Sequence, residues 1–154
     1  FSALAFIGNA LGISEIICGG VCHRFPELDF VSVESGAGWI PGLLEALDWQ
    51  WHNAGVALEH PEYDLLPSEY FRRQIHACFW FEKDMLQRAA ELYPDNLMYE
   101  TDYPHPTSMS PGPATIAVHP REYAETALGN LPDETAAKLL HDNAARVYNV
   151  PAGN

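Results

Sequence analysis

Three times along this chain a short strand-like run gives way to a run with helical spacing, and that alternation restricts the fold most. The first strand-like run, residues 28–34, alternates polar and apolar side chains and is left through Ser35-Gly36-Ala37-Gly38. Ile40, Leu43, Leu44, Leu47 and Trp51 then fall at i, i+3, i+4, i+7 and i+11, one face of a helix. Pro41 is tolerable there because it lies in the first turn. After His60-Pro61 and Leu66-Pro67, Ser68 can cap a short helix through Arg73, and a strand follows over about 75–81. Residues 83–93 read as a helix, with Met85, Leu86, Ala89, Ala90 and Leu92 on or near its inner face. The third unit is a strand over 96–101, a long aperiodic loop over about 106–120, and helices over 121–128 and 133–148. In the last of these, Ala136, Leu139, Leu140, Ala144 and Val147 are expected to face inward.

Alternating β and α elements predict an α/β fold with a parallel sheet. Three strands do not close a barrel, and a complete one needs about 250 residues, or roughly 31 per unit. Residues 1–154 therefore read as a single partial barrel domain. It is the C-terminal portion of a (β/α)8 TIM-type barrel, with about three β/α units plus a closing helix. The competing fold is an open α/β sheet, which must cover two exposed edges. A helix over 2–18, stopped by Gly19-Gly20, precedes the first strand. Asn9, Ser14 and Glu15 interrupt its apolar run and no Lys or Arg leads it, so neither a secretory signal nor a membrane span is expected.

Composition narrows the partners. Hydrophobic residues at 47% and aromatics at 12% supply a real core and exclude disorder as the main state. Eight Lys+Arg against 21 Asp+Glu leave a formal charge of −13, which disfavours nucleic acid and anionic membrane. A metal ion or a small polar molecule remains open. Cys18, Cys22 and Cys78 are too few and too uneven for a disulfide framework, so a reducing, cytoplasmic setting is expected.

Asp102 stands at the C-terminal end of a predicted strand, the catalytic face of a parallel barrel. A carboxylate there can bind a divalent metal and take a proton from its water, and His105 can orient that carboxylate or a substrate. The alternative is an Asp-x-Pro turn whose side chain caps the backbone. Glu34 ends another strand and points to the same mouth, unless it is merely solvated or paired with an arginine. The glycines beside it lack the G-x-G-x-x-G spacing of a dinucleotide site. Trp39 and Trp80 can line a pocket or fill core. Cys18, Cys22 and His23 lack the second pair that a zinc finger needs. His52, His60, His76, His119 and His141 are scattered and read as surface or satisfied core histidines. No G-x-S-x-G or Walker pattern is present.

Residues 25–31 with Glu34-Ser35-Gly36 and Gly38-Trp39-Ile40-Pro41 resemble the sixth strand and helix of amidohydrolase-related proteins, the group that includes the aminocarboxymuconate-semialdehyde decarboxylase type. Asn96-Leu97-Met98-Tyr99-Glu100-Thr101-Asp102-Tyr103-Pro104-His105 is similar to that family's eighth-strand motif, and Asn143-Ala144-Ala145-Arg146-Val147-Tyr148 to its closing helix. The resemblance implies a distorted (β/α)8 barrel with a divalent ion at its mouth, commonly zinc and sometimes manganese. It makes Asp102 the metal ligand, with His105 beside it. Glu34 falls where many members carry a His, and could serve as a base or a second carboxylate ligand. The family's first-strand His-x-His (or its Glu variant) and fifth-strand His would lie upstream of Phe1, since no His precedes His23. The expected function is a metal-dependent hydrolase or decarboxylase acting on a small carboxylated or aromatic substrate. The alternative is an inactive, truncated barrel remnant that acts as a binding or assembly module. Unpaired strand edges make a homo-oligomer a compatible state.

Overall fold

In the computed structural model, which describes residues 4–109, 112–113 and 115–151, one parallel sheet runs in the order β1-β2-β3. Its strands are β1 (Phe30–Ser32), β2 (Ile75–Phe79) and β3 (Leu97–Tyr99). Phe30 lies opposite Ile75 and Ser32 opposite Ala77, while Ala77 also faces Leu97 and Phe79 faces Tyr99. The α/β expectation and its parallel sheet hold. Before β1 come α1 (Ala5–Cys18) and α2 (Val21–Arg24), and between β1 and β2 come α3 (Ile40–Asn53), α4 (Val56–Glu59) and α5 (Pro67–Gln74). The rest are α6 (Asp84–Leu92), α7 (Pro120–Leu128), α8 (Asp133–Ala137) and α9 (Asn143–Val147), the last two joined by a π turn over Lys138–Asp142. Ser2, expected in the first helix, lies outside the described residues, as do 110, 111 and 114 of the long loop.

One face of the sheet makes the core. Ile75, Ala77, Phe79 and Leu97 are fully buried there against Ile40 and Leu44 of α3, Phe71 of α5, and Leu86 and Ala89 of α6. The other face carries His76, Cys78 and Met98, the alternate residues of the same strands. The expected face of α3 is buried at Ile40, Leu44 and Trp51. Met85 departs from expectation: it is 54% exposed, at the start of α6. Leu140 departs too, lying outside at 44% exposure. In the wider π turn Asn143 falls on the opposite side of Leu139 from Leu140, so the inner face centres on Leu139 and Asn143 and leaves Leu140 outside.

Each strand is shorter than its sequence pattern, and at β1 the reason is that side chains take over at the ends. Gln74 Nε2 donates to the carbonyl of Leu28 (2.8 Å), and Asn9 Nδ2 donates to that of Val33 (3.0 Å), so β1 stops inside both. Ser68 is not the cap of α5. Pro67 opens that helix, Glu69 Oε2 accepts the Leu66 N–H at 2.8 Å, and the Ser68 N–H goes to Asp48 instead.

Below the sheet, at the N-terminal ends of the strands, buried amide side chains do the joining. Asn96 Nδ2 lies 3.1, 3.1 and 2.9 Å from the carbonyls of Phe71, Arg72 and Ile75. Asn143 Nδ2 donates to Pro94 and Leu97, both at 2.8 Å, and ties the closing helix to β3. Asn96→Ala leaves buried carbonyls unpaired and should cost about 2–3 kcal/mol, read from urea unfolding. A loss below about 0.5 kcal/mol would show that these bonds are not made.

His76 corrects an expectation, because it is buried without being satisfied. It is 1% exposed, and among the described residues neither ring nitrogen finds a hydrogen-bond partner; Asp29 Oδ1 lies 3.5 Å away. Burial holds its pKa below the ordinary 6.5; the Asp29 carboxylate opposes that shift and the Arg146 charge adds to it. The unfolded chain therefore takes up a proton at a pH where the folded chain does not. The stability His76 contributes is fully present above pH 6.5 and is lost as pH falls below it. The slope is at most about 1.4 kcal/mol per pH unit. Denaturation midpoints from pH 7.5 to 5 should fall less steeply in His76→Leu; equal slopes would refute the assignment.

Candidate functional site

All three strands end at one edge of the sheet, and the residues just past those ends make the site. Asp102 lies three residues beyond β3 with φ 55°, and its side chain is only 6% exposed. His105 Nδ1 lies 3.0 Å from Asp102 Oδ2 and 3.0 Å from Thr107 Oγ1, with its ring half exposed. The turn is closed by the His105 N–H, which donates to the Asp102 carbonyl at 2.9 Å. Thus the turn reading and the site reading of Asp102 coexist: the backbone makes the turn, and the carboxylate is gripped from one side only. Among the described residues Asp102 Oδ1 has no hydrogen-bond partner.

Glu34 ends the β1 segment, also left-handed, with φ 54°. Its N–H donates to Glu100 Oε1 at 3.0 Å, a bond that crosses from the end of β1 to the end of β3. Asn9 secures the other side, donating to Ser32 Oγ, Val33 O and Ser35 Oγ at 2.9, 3.0 and 2.9 Å. Beyond Glu34, Ala37 and Gly38 turn their N–H groups to Glu82 Oε1. Gly36 has φ 71°, and a Cβ there would lie 2.2 Å from that same oxygen. Trp39 Nε1 donates to the Ser35 carbonyl, and Trp80 Nε1 to that of Thr107 in the loop after β3.

The electrostatics are those of crowded carboxylates. Burial, with the nearby charges of Asp102 and Glu34, raises the Glu100 pKa against the pull of the Glu34 N–H and the Cys78 thiol. Burial, then the Glu100 carboxylate, pushes the Cys78 thiol far above its ordinary value, which disfavours the thiolate. The structure brings Glu34, Asp102 and His105 to the same mouth and adds Glu100 and Glu82, which sequence reasoning did not single out. Glu100 had a signal, since it lies two residues before Asp102 on a strand. The signal for Glu82 was indirect: the small residues Gly36 and Gly38 leave room for a side chain from elsewhere.

Other candidates fall away. Cys18 is exposed and Cys22 buried, and His23 turns to Tyr70 and Asp64 instead of to either cysteine. Burial pushes the Cys22 thiol up to about 11, with Arg73 opposing. Among the described residues no three His, Cys, Asp or Glu side chains converge on one metal-sized point, so Asp102 offers a single oxygen donor. No described helix is long and apolar enough to cross a membrane. A cleft of about 590 Å³ lies between α6 and α7, but none of Glu34, Asp102 and His105 lines it.

Comparison with solved structures finds the same fold elsewhere. A 5-carboxyvanillate decarboxylase from Sphingomonas paucimobilis superposes with a TM-score of 0.67 at 28% identity, over 88% of this chain and 38% of its own. An amidohydrolase from Mycobacterium avium subsp. paratuberculosis superposes with a TM-score of 0.66 at 23% identity, over 88% of this chain and 32% of its own, and shares the fold. The chain thus spans about a third of the length of these structures. A sequence search among curated proteins finds no match. The amidohydrolase family model matches residues 14–150, from within α1 through β1, β2 and β3 to three residues past α9, and the chain belongs to that family.

Proposed function

We propose that this chain supplies the last three β/α units of a metal-dependent hydrolase or decarboxylase barrel acting on a small carboxylated or aromatic molecule. One observation carries the reading: the buried Asp102 carboxylate, held at Oδ2 by His105 and open at Oδ1, at the mouth of a parallel sheet. A hard oxygen donor fixed in this way fits a divalent ion such as zinc or manganese. The remaining ligands are assigned to barrel strands other than these three. When bound, the ion would polarise a water or a substrate oxygen. Asp102 Oδ1 would be the donor to the ion, His105 would keep the carboxylate in that orientation, and Glu34 would act as a base or as a second carboxylate. The similarity to a 5-carboxyvanillate decarboxylase supports an aromatic carboxylate as substrate and carbon dioxide as product. Asp102→Ala in the complete barrel should lower bound zinc or manganese about tenfold or more, with an unchanged circular dichroism spectrum. Full metal occupancy in the folded variant would sink the ligand assignment.

The open outer edges of β1 and β3, and the exposed Leu28 and Val33, favour a second reading, an assembly module without turnover. Glu34→Gln separates the two because it keeps shape and removes charge. With 5-carboxyvanillate as the probe substrate, a general base or ligand at Glu34 should cost roughly 100-fold in turnover. A side chain merely solvated at the rim should cost at most about 1 kcal/mol of stability and leave the rate intact. An unchanged rate removes Glu34 from the chemistry, and a metal-free barrel with no turnover supports the assembly module.

A further inference from the structure

We propose that Glu82 is a positioning residue whose buried carboxylate fixes the turn after β1 and, through it, Glu34. The proposal rests on the reading of Glu34 as part of the site. Glu82 follows β2 by three residues, belongs to none of the strands, and is 9% exposed. Its Oε1 accepts the Ala37 N–H at 2.5 Å and the Gly38 N–H at 3.2 Å, while Oε2 lies 3.4 Å from the Phe81 N–H. Successive backbone N–H groups turned to one point form an anion-binding hollow. Here the anion comes from the next βα loop of the same chain.

Everything around that contact is built to its size. A Cβ at Gly36 would collide with Glu82 Oε1, and one at Gly38 would lie 2.7 Å from Met85 Cβ. The Glu82 backbone is itself anchored, since Tyr123 Oη of α7 donates to its carbonyl at 2.5 Å. Force therefore passes from α7 to Glu82, from Glu82 to Ala37 and Gly38, and from that turn to Glu34. Asn9 and Glu100 hold the chain up to Glu34, and Asn9 also reaches the Ser35 side chain; among these three, Glu82 alone bonds the backbone after Glu34. With both sides fixed, Glu34 has one backbone conformation, and a displacement of about 1 Å at a reacting group can cost on the order of 100-fold in rate.

The test is nuclear magnetic resonance on the 154-residue chain, with Glu82→Ala and Glu82→Gln. A left-handed residue gives a strong intraresidue contact between its amide and Hα protons, so Glu34 reports its own conformation. In Glu82→Ala that contact should weaken at Glu34 and the Ala37 amide should exchange about tenfold faster or more, while β2 and β3 signals stay in place. Glu82→Gln keeps an acceptor oxygen, and should restore the Glu34 contact while shifting the Ala37 amide upfield as the charge is lost. A lowered melting midpoint in Glu82→Ala with the Glu34 contact unchanged is a merely structural role and overturns the proposal. If Glu82→Ala does not fold, Glu82→Gln decides: an unmoved Ala37 amide overturns the proposal, and a shifted one supports it. These readouts report placement only, so an unchanged rate in Glu34→Gln would end the reading of Glu34 without touching them.

Discussion

Parallel pairing on both sides of β2 is the constraint from which the site follows. Because β1 and β3 both run with β2, the chain must return across the helix layer after each strand, and all three C-terminal ends open on one edge. Glu34, Glu82 and the Glu100–Asp102 segment are far apart in sequence, yet each sits within a few residues of such an end. An antiparallel arrangement of the same strands would send β2's exit loop, and Glu82 with it, to the opposite edge. The acidic mouth is a consequence of topology before it is a matter of any one contact.

The two ends of the sheet are held by different chemistry. At the lower end the joints are neutral amides: Gln74 reaches Phe25 and Leu28, Asn96 reaches the end of α5 and the start of β2, and Asn143 reaches Pro94 and Leu97. Amides satisfy buried carbonyls without placing a charge in the interior, which suits a face that serves only stability. At the upper end the Asn9 amide is joined by carboxylates accepting backbone N–H groups, as Glu82 does for Ala37 and Gly38 and Glu100 does for Glu34. Bonds to an ionised acceptor are the stronger kind, but they bring negative charges close together. Burial first, and then the neighbouring charges of Asp102 and Glu34, raise the Glu100 pKa. A cation at the mouth, such as the one proposed above, would offset the part that the neighbouring charges contribute.

Periodicity made the helices legible, and the turn residues made the loops legible. Ile40, Leu44 and Trp51 are buried as their spacing requires, and Pro67, Pro120 and Gly19 lie at helix ends. The length of β1 was overread because sequence alternation continues through Leu28 and Val33, whose carbonyls bond to side chains instead of to a neighbouring strand. Leu140 was misplaced because a π turn shifts the inner face of the helix, and no residue in 138–142 announces one. The positions of Asp102, His105 and Glu34 at the mouth were legible because they sit at strand ends or inside a recognisable motif. That of Glu82 was not, since its role depends on two amides 44 and 45 residues earlier in the chain.

Asp102 and Glu34 share an unusual property for residues with side chains: both are left-handed, at φ 55° and 54°. That conformation costs roughly 1–2 kcal/mol per residue for a non-glycine. Glycine would avoid the cost at either position, and the chain does use glycine next door, at Gly36. The side chains at 34 and 102 are therefore kept at an energetic disadvantage to the backbone that carries them. Such strain persists only where the surroundings fix it, and here Glu100, Asn9 and Glu82 fix Glu34 while His105 and its own turn fix Asp102. A left-handed residue at a strand end breaks the alternation of the strand and aims its side chain where the next strand residue could not reach. Two carboxylates aimed in this way, across β2 from one another and at the open ends of parallel strands, make a mouth in which strain and charge are both concentrated.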